Sequence, residues 1–122
     1  MTDLEALKQA GIDVDDGLAY CAEDAEFYEE MLTEYVRESA VKLADLDRHF
    51  SERNWAQYTV CAHSVKSMSL MIGAKEMAET ARRMENAGKE GNEEALLTGH
   101  EAFTEAYRKT AETVRAAVTP EE

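Results

Sequence analysis

Apolar side chains recur at three- and four-residue steps over most of the chain, with polar residues filling the gaps, the pattern of helices with one buried face. From about residue 23 to 50 the stripe runs through Phe27, Met31, Leu32, Tyr35, Leu43, Leu46 and Phe50. The polar run 51–54 breaks it, and Asn54 is suited to cap a new helix over about 55–72. Gly73 then permits a sharp exit. Met77, Ala81 and Met84 mark a third helix over about 74–88, which Gly88 and the Gly91–Asn92 pair are expected to end. A fourth, over about 93–117, repeats Leu96, His100, Phe103, Tyr107, Thr110 and Val114. Ahead of these, residues 3–9 predict a short helix ending at Gly11, and about 15–20 predict one more turn. No segment alternates as a strand would, and connections are short, so consecutive helices should lie antiparallel. The expected fold is all-α, an antiparallel up-down four-helix bundle over 23–118 with a short N-terminal helical extension over 1–22. The whole chain, 1–122, reads as a single domain.

Composition changes this picture little but narrows the partners. Six Gly and one Pro in 122 residues suit helices. A net charge of -13 repels nucleic acid and anionic membrane, so protein partners are expected. There is no 18-residue apolar run and no basic-then-apolar leader, which points to a cytoplasmic protein without a membrane contact. Cys21 and Cys61 read as free thiols rather than a disulfide scaffold. Residues 60–91 are unlike the rest: five Lys/Arg stand against four Asp/Glu, a non-acidic island on an acidic chain.

That island contains the helix with the most unusual pattern. At about 100° per residue, a face centred on Val65 takes in Tyr58, Cys61, Met68 and Ile72. His63 falls about 160° away, beside Ala56, Val60, Ser67 and Leu70, with Lys66 on the flank. The bundle can bury only one of these faces, so Val60 and Leu70 should be exposed around the imidazole. Such a patch is either an ordinary surface with a histidine on it or a docking surface with a reactive group at its centre. Imidazole is a nucleophile that can carry a covalent group transiently, and Lys66 could neutralise an anion on it. On the flank, Lys66 should be replaceable by Ala within about 0.5 kcal/mol of stability. The other histidines carry less: His100 lies on a core stripe, and His49 ends the long helix where a cation suits the carbonyl ends. Cys61 and His63 occupy different faces and could not chelate one metal together without other ligands, so no metal site is expected. No Gly-rich nucleotide loop is present, so the chain is not itself a kinase.

The run His63-Ser64-Val65-Lys66-Ser67, followed by MSLMIGA, resembles the histidine-containing phosphotransfer (HPt) signature, H-x-small apolar-K-G with an apolar residue and Gly beyond. GIDVDDGLAY, the Asn54–Trp55 helix start and the MENAGKEGN turn are similar to the same family, so the resemblance spans about residues 11–115. It implies a phosphorelay carrier with no ATP site or cofactor of its own. His63 would accept the phosphoryl group from a receiver-domain phospho-aspartate and pass it to another receiver aspartate. Lys66 would offset phosphate charge, and Glu85 would orient the imidazole. Partners would be receiver domains of hybrid histidine kinases or response regulators, docking over Ala56, Val60, Ser67 and Leu70. Mg2+ would be supplied by the receiver, and the carrier is expected to be a monomer. The alternative is a helical adaptor that binds a receiver without being phosphorylated. One departure from the signature stands out: Ser67 occupies the position of its glycine.

Overall fold

The computed structural model describes residues 2–118. Six helices follow one another: α1 (Leu4–Gln9), α2 (Val14–Tyr20), α3 (Ala25–Ser51), α4 (Trp55–Met71), α5 (Lys75–Lys89) and α6 (Glu93–Val118). No strand occurs among the described residues. Side-chain caps set most of the starts. Asp3, Asp13, Asp24 and Asn54 each accept from a backbone N–H three residues on, and Asn92 does the same for α6.

The helices α3 to α6 pack in a ring, each against its chain neighbours, with α6 closing onto α3. The ring is uneven. At 1.5 Å per residue, α3 (27 residues) and α6 (26) are about 40 Å long, whereas α4 (17) and α5 (15) reach only about 25 Å. The two N-terminal helices cover part of the difference, α1 lying against α6 and α2 against α3 and α4. Asp3 N–H donates to the Ala117 carbonyl at 2.8 Å, and Asp13 N–H to the Gly73 carbonyl at 2.9 Å.

Gly73 is where this packing is least forgiving. Its φ is +83°, and a Cβ placed there would lie 2.0 Å from the Asp13 carbonyl oxygen. Backbone strain and a backbone clash would therefore coincide. Gly73→Ala should cost about 2–4 kcal/mol, seen as a lower urea midpoint at unchanged slope. Gly88 has a different role from the one expected. It lies inside α5, which runs on to Lys89, and the turn is made by Gly91 at φ +66°. A Cβ at Gly88 would meet Thr59 Oγ1 at 1.9 Å, so this glycine lets α5 approach α4 closely.

The core holds four fully buried tyrosines, Tyr28, Tyr35, Tyr58 and Tyr107. Tyr28 takes the inward place expected of Phe27, which is exposed, and donates its hydroxyl to the Ile72 carbonyl at 2.8 Å. Tyr35 meets Ser69 at 2.8 Å. His100 is structural, as its position on a core stripe suggests: it stacks on Phe50 at 3.9 Å and bridges two partners. Its Nδ1 lies 2.7 Å from the Tyr58 hydroxyl and its Nε2 2.8 Å from Asp47. Both contacts are met when Tyr58 donates to Nδ1 and Nε2–H donates to the carboxylate.

Candidate functional site

On α4 the buried residues are Tyr58, Ala62, Val65 and Ser69, with the C-cap residue Ile72 buried just beyond them. Their centre lies about 20° from Val65 toward Ala62 and Ser69. That rotation corrects the expected face. Cys61 and Met68 become partly buried flanks, and Leu70 turns halfway inward instead of standing exposed. Val60 remains 61 % exposed and Ala56 is exposed, while Ser67 is half-buried. The same rotation carries Lys66 toward α5, leaving its side chain only 23 % exposed. The imidazole of His63 stays in solvent, with 57 % of its side-chain surface free.

Glu85 of α5 is the residue whose surroundings differ most from an ordinary helix carboxylate. Its side chain is 2 % exposed. Oε2 lies 2.8 Å from His63 Nδ1 and 3.1 Å from Lys89 Nζ, and Oε1 lies 2.9 Å from Lys66 Nζ. The Lys66 contact is ionic rather than a well-aligned hydrogen bond. Burial alone would push this carboxyl up, but the contacts from Lys66, His63 and Lys89 outweigh it and hold it down at about 2. Glu85 is therefore a carboxylate at neutral pH and can only accept. When the imidazole is neutral, its proton must sit on Nδ1, and the lone pair stands on the exposed Nε2. The structure thus gathers His63, Lys66 and Glu85 into one cluster, and adds Lys89, which the sequence reading missed. Lys89 was within reach of that reading, because it stands four residues after Glu85 and so on the same helix face.

A carboxyl lowered on folding, from its ordinary 4.5 to about 2, stabilises the folded state above the higher value. The contribution is lost as pH falls toward the lower one. The lowering corresponds to at most about 3 kcal/mol. Glu85→Gln should be less stable than wild type at pH 7, and the gap should narrow between about pH 5 and pH 2. Urea titrations at a series of pH values would show it.

The Hpt domain family model matches residues 30–117. This is most of the chain, and the chain belongs to the Hpt domain family. Membership implies phosphotransfer in a two-component phosphorelay, and interaction with receiver or kinase domains. No curated protein and no solved structure matches. Among the described residues, no helix is long and apolar enough to cross a membrane.

Proposed function

We propose that this chain is a phosphorelay carrier, taking a phosphoryl group onto His63 from a receiver-domain phospho-aspartate and passing it to another receiver aspartate. The observation that supports this most is the imidazole itself: exposed, with Nδ1 tied to a buried carboxylate and Nε2 free. In the step, the Nε2 lone pair attacks phosphorus and an N–P bond forms. The P–O bond to the aspartate breaks, and its electrons leave with the carboxylate. The ring gains positive charge as it forms that bond, and Glu85 stabilises it by holding the Nδ1 proton. The return step reverses each change. Lys66 and Lys89 are placed to offset charge on the phosphoryl oxygens, at the cost of loosening their hold on Glu85. Mg2+ belongs to the receiver in this reading, and the carrier contributes no nucleotide site.

Docking would use the outer face of α4, with Ala56, Val60 and Ser67 around the imidazole and Leu70 at its inner edge. The non-acidic stretch of α4 and α5 suits the acidic pocket of a receiver. Incubation with a receiver domain carrying radiolabelled phosphate should move the label onto this chain as acid-labile, alkali-stable phosphate. An adaptor would bind the receiver and leave the label where it was.

Lys66→Ala should slow this transfer about tenfold, through loss of one charge at the phosphoryl group. Its effect on stability should exceed the 0.5 kcal/mol expected of an exposed lysine. Glu85 Oε1 would lose its cation, a cost of about 1–2 kcal/mol softened by Lys89 and His63 on the other oxygen. Stopped transfer assays and a thermal melt on the same sample separate the two effects.

A further inference from the structure

Hydroxyls on these helices have a usual resting place. Thr33, Thr59, Thr80, Thr98 and Thr110 each donate to the carbonyl four residues back, and Ser69 is bound to Tyr35. Ser67 is different. Among the described residues its hydroxyl has no hydrogen-bond partner, although the side chain is half-buried.

Ser67 stands one turn beyond His63 on α4. Residues four apart on a helix have Cβ atoms about 5–6 Å from each other. Each Cα–Cβ bond also tilts toward the helix start, so a side chain covers the turn before its own. The Ser67 hydroxyl therefore leans over the turn that carries His63. With Nδ1 held by Glu85, the atom of the ring that points away from α5 is Nε2. A phosphoryl group there would set its oxygens two bonds beyond the ring, on the stretch of α4 surface that His63 and Ser67 share. Lys66 and Lys89 already contact Glu85 and would divide their donors between it and those oxygens. Ser67 gives up nothing.

We propose that Ser67 Oγ–H donates a hydrogen bond to the phosphoryl group on His63 Nε2, making Ser67 a positioning residue of the transfer site. This rests on the carrier reading. The glycine of the family signature has no donor to offer at this position, so the contact is an addition. It forms and breaks no covalent bond. It fixes the rotation of the phosphoryl group about the N–P bond and favours its doubly ionised form, because a donor binds the more charged oxygen better.

The test uses potassium phosphoramidate as donor, which transfers its phosphoryl group to imidazole as ammonia departs, and follows the product by phosphorus NMR against pH. In Ser67→Ala and Ser67→Gly the phosphoryl group should bind its proton roughly threefold to tenfold more tightly than in wild type, so its titration midpoint rises. Ser67→Thr, which keeps the hydroxyl, should titrate close to wild type. Matched thermal melts establish that all four proteins are folded. Unchanged midpoints in both Ala and Gly variants, or a change in only one of them, would overturn the hydroxyl's role while leaving the carrier reading intact. A wild type that takes up no phosphoryl group on His63 would overturn both.

Discussion

His63→Gln should accept no phosphoryl group from a phosphorylated receiver and yet keep its fold. Glutamine has no ring nitrogen with a free lone pair, and its amide nitrogen is a poor nucleophile because that pair is delocalised into the carbonyl. Its NH2 can still donate to Glu85, so the buried carboxylate keeps a third partner beside Lys66 and Lys89. The replaced side chain is more than half exposed, so no cavity is opened, and stability should change by less than about 1 kcal/mol. Label transfer and a thermal melt on the same preparation check both halves. Label retained at the wild-type rate would move the acceptor to another residue.

Val65→Glu should unfold the protein or leave it barely folded, whereas Val60→Glu should not. The two residues lie five apart on α4 and differ in surroundings as far as two valines can. Val65 is fully buried in the core, and a carboxylate there would have neither water nor a cation among its apolar neighbours. An unpaired buried charge costs several kcal/mol, comparable with the whole stability of a domain this size. Val60 is 61 % exposed, so the same charge stays in water at a cost within about 0.5 kcal/mol. It would stand instead on the proposed docking face, opposite an acidic receiver pocket. Receiver binding by Val60→Glu should weaken tenfold or more through like-charge repulsion. Circular dichroism and a binding titration give the two answers, and a folded Val65→Glu would mean that the phase of α4 is wrong.

The phase of α4 also shows how far the amino-acid pattern reaches. Helix ends were readable because they are written in local chemistry, such as Asn54 capping α4 and Gly73 leaving it. His63 could be assigned to the outer face because it lies far from any plausible core centre. Leu70 could not be placed as securely. An inward centre shifted by one small residue, Ala62 or Ser69, is enough to bring it halfway in. Alanine and serine carry too little apolar surface to mark a face, yet they are buried here because a neighbouring helix comes close. Glu85 was harder still. Nothing in α5 alone says that a glutamate beside Met84 is buried, because its burial depends on Lys66 and His63 arriving from α4. An orienting role for it was only what the family resemblance implied, and the three-partner cluster emerges only in three dimensions. Gly88 misled for the same reason: a glycine that ends a helix and one that admits a neighbouring helix look alike in one dimension.

The central claim is that His63 carries phosphorus on Nε2 while Nδ1 keeps its proton against Glu85. Nitrogen-15 and phosphorus NMR of the phosphorylated protein, labelled at its histidines, measures this directly. The result expected is a one-bond nitrogen–phosphorus coupling at Nε2 of His63, with Nδ1 protonated and no coupling at His49 or His100. Phosphorus on Nδ1 of His63, or on any other residue, would contradict it.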